Sequence, residues 1–188
     1  MIGQYKWDFN LAPYQNEWVD LFNQEADLLQ SVLGNKCLRI EHIGSTSIPG
    51  MPAKAIIDIM VAVPNLVRSS DLILGLDRIG YIYKPFDTIP ARMFFGKEIK
   101  PLVRTHHLNL VLEGSEFWNN QLLFRDTLRS NDQLASEYIQ VKLSFADYYA
   151  RTKHLDVEWK TAFVAKVLSM AEAETQEPSS WPSKKISA

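Results

Sequence analysis

Between Ile56 and Val63 the chain reads I-I-D-I-M-V-A-V, an apolar, β-branched run with a proline just beyond it at Pro64. Such a run predicts a strand covered on one or both faces, and a carboxylate inside it is out of place. A charge buried without a partner is costly enough that it normally finds a counter-charge, a metal or a cleft. Asp58 is therefore the first candidate for chemistry. The stretch before it, R-I-E-H-I-G-S-T-S-I-P-G-M-P-A-K from Arg39 to Lys54, reads as a strand, a tight Gly/Ser turn and a proline-broken crossing. Two readings stay open. In one, the Gly44-Ser45-Thr46 turn offers N–H groups and hydroxyls to anionic oxygens, Lys54 adds a point charge for phosphate, and Asp58 holds a divalent metal bridging those phosphates. In the other, the turn is an ordinary β-turn and Asp58 is a core acid paired with Lys54 or an arginine.

Composition sets the outer bounds. With 188 residues, 46% hydrophobic and 22% charged, the chain has the material for a full core. One domain over residues 1–172 and a weakly ordered tail over 173–188 are expected. A net charge of −2 and a pI near 6.1 leave no global basic field, which disfavours duplex nucleic acid as a partner. The single cysteine, Cys37, excludes an internal disulfide and fits a reducing compartment. No apolar run approaches the roughly 20 residues a membrane span needs, and Met1–Asn10 lacks a signal peptide's cationic start and apolar stretch. A cytoplasmic location without membrane association is expected.

Periodicity orders the remaining elements. Leu11–Leu33 predicts a helix with Trp18, Leu21, Phe22, Leu28, Leu29 and Val32 on one face and Gly34 as its stop. Lys36–Ile43 alternates as a strand, with Leu38, Ile40 and His42 opposite Arg39, Glu41 and Ile43. Pro64–Gly80 predicts a helix, and Tyr81–Phe86 with Ala91–Lys97 a hairpin whose turn includes Asp87 and Pro90. Lys100–Glu113 predicts a longer strand that turns His106, Leu108 and Leu110 to the core and His107 and Asn109 to the other side. The period then changes to 3.6, giving helices over Ser115–Leu128, Leu134–Phe145 and Val157–Met170. The pattern is α+β, a mixed sheet with helices packed on one side and a C-terminal helical part.

Several of these segments resemble one known family. Ile40 to Gly50 (I-E-H-I-G-S-T-S-I-P-G), then Ala53-Lys54 and Ile57-Asp58-Ile59, look like the signature of GrpB family proteins. Arg92-Met93-Phe94-Phe95, His107-Leu108-Asn109-Leu110-Val111, Gly114-Ser115, Trp118, Phe124–Arg129, Tyr138 and Lys142-Leu143 follow in the family's order. The resemblance runs from about Tyr14 to Phe163. It implies the nucleotidyltransferase superfamily and its polymerase-beta-like fold. A related domain is also found fused to dephospho-coenzyme A kinases. In the superfamily's active enzymes a Gly-Ser motif holds the nucleotide phosphates, and an Asp-x-Asp pair plus a third acid on a neighbouring strand bind two magnesium ions. Carried over, Gly44 and Ser45 match the phosphate motif and Asp58 the first acid. Met60 stands at the second acid's position, and methionine is no ligand for a hard cation. His107 and Asn109 stand where the third acid would fall.

The remaining candidates are weighed beside that resemblance. If the strands carrying Glu41 and Asp58 pair closely, cross-strand neighbours lie about 4.5–5.5 Å apart. Asp58, Glu41 and His107 would then make a mixed catalytic set suited to Mn or Zn or to acid–base work, with a single Mg or Mn ion on Asp58 as the cofactor expected. The plain alternative for His107 is a strand histidine hydrogen-bonded to a neighbour, and His42 and His106 read as satisfied core histidines. Arg125 and Arg129, four apart on one helix face, with Lys142 on the next helix, form a candidate phosphate clamp, to which Arg92 and Lys97 on the hairpin could add. The alternative is a solvated face where Asp126 pairs with a neighbouring cation. The function expected is binding of a nucleotide or phosphorylated small molecule, with metal-assisted nucleotidyl transfer or an inactive binding module as the two outcomes.

Overall fold

A computed structural model gives the fold over residues 2–5, 8–66, 70–87, 91–154 and 158–176. The apolar run forms β3 (Ile57–Val63), buried at every position except Asp58. It pairs antiparallel with β2 (Arg39–Ile43) and, on its other edge, parallel with β6 (Val103–Leu112). From β6 the sheet continues antiparallel through β5 (Arg92–Lys100) to β4 (Tyr81–Tyr83), which is the expected hairpin. A two-residue strand missed by periodicity, β1 (Gln4–Tyr5), pairs with the start of β6 and completes a six-stranded mixed sheet.

Among the described residues five α-helices accompany it: α1 (Glu17–Leu33), α2 (Ser70–Asp77), α3 (Glu116–Ser130), α4 (Asp132–Thr152) and α5 (Glu158–Gln176). α1 starts later than the Leu11 expected because Ala12 is tied into a bridge. Its N–H reaches the Ala53 carbonyl at 2.8 Å and its carbonyl accepts from Ala53 at 3.0 Å, which keeps that segment extended. α1 stops at Gly34, whose φ of 56° suits a residue without a Cβ. α3 and α4 start where side-chain oxygens can cap them: Ser115 Oγ accepts from Trp118 N at 3.3 Å and Asn131 Oδ1 from Leu134 N at 3.0 Å. α4 and α5 run past the expected ends, to Thr152 and Gln176. Val67, the Pro90 turn, Val157 and the tail beyond Gln176 lie outside the described residues. No helix among the described residues is long and apolar enough to cross a membrane.

Each sheet face has its own packing. α1 and α2 cover one face, where Trp18, Leu29, Leu33 and Leu76 meet Ile57, Ile59, Val61, Leu108 and Leu110. The C-terminal helical part reaches the other, where Trp118 of α3 packs on Ile43, Met60, Ala62 and Val111. The crossing between β2 and β3 joins the two halves. Its Ile48 and Met51, each 1% exposed, insert among Leu128, Leu134, Tyr138, Phe163 and Val167 of the helices, stabilising the joint by about 1.5–3 kcal/mol apiece.

Of the two core histidines His42 is paired as expected, while His106 keeps its buried Nε2 without a hydrogen-bond partner among the described residues. His42 stacks on Phe22 at 4.6 Å, and its Nε2 lies 3.0 Å from the Thr46 hydroxyl. His106 Nδ1 lies 2.9 Å from Thr105 Oγ1, while its Nε2 faces Glu25 at 3.9 Å, a carboxylate held by Lys97 at 2.8 and 2.9 Å. Burial, with nearby cations assisting, holds both imidazoles down to about 4 against the pull of Asp58 on His42 and Glu25 on His106. An unfolded imidazole titrates near ~6.5, so between that value and 4 the unfolded chain binds more protons and stability falls as pH falls. The melting temperature should drop progressively as pH falls from about 6.5 towards 4.5, with each histidine contributing at most about 1.4 kcal/mol per pH unit. In His42→Gln the slope should shrink; an unchanged slope would show that the imidazole charges without loss.

Candidate functional site

Asp58 opens β3 on the side away from α1 and sits against the turn after β2. The backbone of Gly44, at φ 68°, passes so close that a Cβ there would lie 2.3 Å from Asp58 Oδ2. The glycine of the Gly-Ser turn thus has two duties: a left-handed backbone angle and room for the carboxylate. The turn Ser45–Ser47 is tied internally, Ser47 Oγ donating to the Gly44 carbonyl at 2.6 Å. In the parallel β3–β6 register Asp58 faces His107, and His107 Nδ1 lies 2.9 Å from Asp58 Oδ1. Burial works to raise the Asp58 carboxyl. The His107 hydrogen bond and the charges of His107 and Lys160 outweigh it, leaving the group below its ordinary value and ionised at neutral pH.

This pair lines a cavity of about 370 Å³. Its polar wall holds Ser45, Thr46, Lys54, Asp58, His107, Lys142 and Lys160, so six expected residues meet there. Its apolar wall is Phe9, Tyr138, Phe145 and Trp159, with Phe145 and Trp159 stacked at 5.0 Å and Phe9 edge-on to Phe145 at 4.7 Å. The Lys54 ammonium lies 4.9 Å over the Phe9 ring and that of Lys142 lies 5.3 Å over Tyr138. Lys142 also donates to the Pro52 carbonyl. Burial first, and the charge of Lys160 second, lower both ammonium groups, Lys142 to about 7. Lys160 and Phe9 escaped the sequence reading: one resembles any lysine near a helix start, and the other precedes the first expected helix. The Ala12–Ala53 bridge and ring contacts with Phe145 and Trp159 bring Phe9 to the site.

Other expected residues are employed elsewhere. Glu41 pairs with Met60, and the residue opposite Asp58 is Ile43. Its carboxylate is held by Arg39 at 2.8 Å and Arg125 at 2.7 Å, so it does not join the Asp58–His107 set. Arg125 and Arg129 do share a helix face, yet their forks close on the protein itself. Arg125 also donates to the His42 carbonyl at 3.0 Å and to Asp126, and Arg129 donates twice to the Ser47 carbonyl, at 3.0 and 2.7 Å. These carbonyls lie at or beside the irregular crossing, where buried backbone acceptors need partners. Arg92 lies between Phe94 and Phe117 at 5.3 and 5.2 Å, bound to the Asp87 carbonyl and Asn109 Oδ1. Asn109 spends its amide on the Ile59 carbonyl at 3.2 Å.

A two-ion centre does not fit this donor set. Met60 is fully buried under Trp118, and Asn109 is 5% exposed with both ends of its amide engaged. Among the described residues no three His, Cys, Asp or Glu side chains converge as a metal site.

A mixed sheet with a Gly-Ser turn beside an acid, backed by a helical half, defines a nucleotidyltransferase-like fold. The Cid1 poly(U) polymerase, crystallised with MgATP, shares that fold at a TM-score of 0.50 and 13% identity over 69% of this chain and 43% of its own. Residues 8–170 match the family described as GrpB protein, and the chain belongs to that family. The crystal structure of GrpB from Enterococcus faecalis is similar at a TM-score of 0.79 and 33% identity, covering 89% of this chain and 100% of that one. The glutamate-rich protein GrpB of Alkalihalophilus pseudofirmus is 31% identical over 90% of this chain and 99% of its own. A dephospho-CoA kinase of Mycobacterium bovis is 30% identical over 70% of this chain but only 38% of its own length.

Met60→Asp tests whether the second acid's position is closed by packing. A carboxylate placed among Ile43, Ala62, Val111 and Trp118 should destabilise the chain by about 3–5 kcal/mol without conferring metal binding; a stable variant that binds Mn would show an open site. Gly44→Ala should cost about 1–3 kcal/mol from the backbone angle alone, with the contact to Asp58 adding to it, measurable by urea unfolding.

Proposed function

We propose that the chain binds a nucleotide or another phosphorylated small molecule in the cavity beside Asp58. Lys54, Lys142 and Lys160 hold the phosphate, Ser45 adds a hydroxyl, and the aromatic wall receives the rest. The observation that carries this reading is the convergence of three lysines and a single carboxylate on one aromatic-walled cavity. Gathered like charges repel, and they depress one another's basicity. An anion among them relieves that repulsion. The volume falls within the roughly 300–1,000 Å³ usual for small-molecule sites. A fold shared with a polymerase crystallised with MgATP, and kinship with part of dephospho-CoA kinases, agree with a nucleotide or a coenzyme A precursor.

Nucleotidyl transfer is the second reading, favoured by the ionised Asp58 that His107 orients. An ion of Mg or Mn on Asp58 would supply charge neutralisation at the phosphates. The donor set has one carboxylate for it, against the two-ion arrangement such chemistry uses. Binding asks only for residues the cavity already has, and it is the reading we adopt.

Thermal melting against nucleoside phosphates and coenzyme A precursors, in EDTA and in Mg or Mn, separates the two. A ligand at about 100 times its Kd adds about 2.7 kcal/mol, or roughly 5–10 °C for a chain of this size. The expected result is a shift in EDTA that Asp58→Asn retains. A shift that needs metal and vanishes in Asp58→Asn would favour the transfer reading, and none with any phosphorylated compound would overturn both.

A further inference from the structure

We propose that the cavity's ligand is a phosphomonoester carried on a planar ring, of the nucleoside monophosphate class, bound without a divalent ion. This rests on the phosphate-binding reading above and narrows it.

Charge is the first argument. Lys54 from the crossing, Lys142 from α4 and Lys160 from α5 face one carboxylate, Asp58 of β3, with His107 of β6 beside it and Tyr138 on α4. With Lys142 protonated in the complex, three ammonium groups against Asp58, and Asp8 acting on Lys54, leave between one and two formal positive charges. A phosphomonoester brings about −1.5 to −2 at pH 7, so it neutralises the wall. A triphosphate brings charge that this wall leaves unanswered. In a two-ion site, carboxylates recruit metal ions to meet it, and here Met60 and Asn109 stand closed at the positions where those acids would be.

Shape and wall chemistry agree. At about 370 Å³ the cavity lies near the lower end of the small-molecule range of roughly 300–1,000 Å³, which suits a ligand with one phosphate. The stacked Phe145–Trp159 pair, with Tyr138 and Phe9, offers aromatic surface to a flat ring, a contact that tolerates any base. Trp159 Nε1 and His107 Nε2 are buried without a hydrogen-bond partner among the described residues. Both side chains line the cavity, and acceptors on a ring and its sugar would satisfy such nitrogens. Burial and Lys160 hold Lys142 down to about 7, so a dianion drawn in beside it raises its basicity and the complex takes up a fraction of a proton.

Isothermal titration of the full chain with adenosine, AMP, GMP, UMP, ATP and inorganic phosphate, in EDTA and in Mg, tests this. At least one monophosphate should bind in EDTA at least tenfold tighter than adenosine, with proton uptake near pH 7.5 read from buffers of different ionisation enthalpy. Lys160 is exposed, so Lys160→Gln should keep its melting temperature while weakening that monophosphate about tenfold. ATP with Mg binding tighter than every monophosphate in EDTA would overturn this inference and leave the phosphate reading standing. An unchanged monophosphate affinity in Lys160→Gln would overturn the lysine assignment. No binding by any phosphate, inorganic phosphate included, would overturn both.

Discussion

The crossing between β2 and β3 is irregular backbone carried into the interior, and its carbonyl groups have to be satisfied there. Cations from the helical half do this. Arg125 takes the His42 carbonyl, Arg129 that of Ser47 and Lys142 that of Pro52. Each bond is made between the sheet half and the helical half, and Ile48 and Met51 add apolar anchors between them. The crossing is thus held from both halves. Because the crossing is fixed at both its beginning and its end, Ser45, Lys54 and Asp58 come to one wall, and α4 and α5 complete the cavity opposite them.

The same arrangement sorts the cations into two groups. Arg125 is answered by Glu41 and Asp126 and helps hold the fold. Lys54, Lys142 and Lys160 share one cavity wall, where Asp58 is the carboxylate among the described lining residues, so their combined field is directed into the cavity. Asp58 remains ionised because His107 bonds to it, and it stays in place because Gly44 has no side chain to displace it. Structural and ligand-directed charge are therefore carried by different residues, apart from Lys142, which serves both.

Much of this was legible in the sequence, and the limits have physical causes. The apolar run, the hairpin and the 3.6-residue period marked the strands and helices, since burial imposes those periods directly. Asp58, the Gly-Ser turn and Lys54 stood out because a charge or a glycine in such a place needs a reason. The register was not legible. A shift of two residues leaves the pattern of faces intact, so nothing in the pattern could say that Glu41 lies opposite Met60. Arg125 and Arg129 lay correctly on one face, but a guanidinium fork fits a backbone carbonyl as readily as a phosphate, and the choice depends on which buried acceptors are short of a partner. Lys160 became visible only when α5 was placed, since one lysine in a helix carries no periodic signal.

Met60 of β3 and Asn109 of β6 are paired neighbours on the sheet face that Asp58 shares. There the sheet face is sealed by Trp118 and by the Arg92–Asn109 contact, so the difference from a two-ion site is one of packing as well as of ligands. Metal ions in such sites adjust to charge that moves between attacking and leaving oxygens during the reaction, which is how they favour the transition state. Lysines fixed on a cavity wall attract the phosphate in its ground state and through any later state nearly alike. Uniform attraction of that kind strengthens binding without accelerating a chemical step. On the binding reading proposed above, packed neutral side chains in place of acids, with cations supplied by the protein, would turn the same fold from chemistry at a phosphate towards holding one.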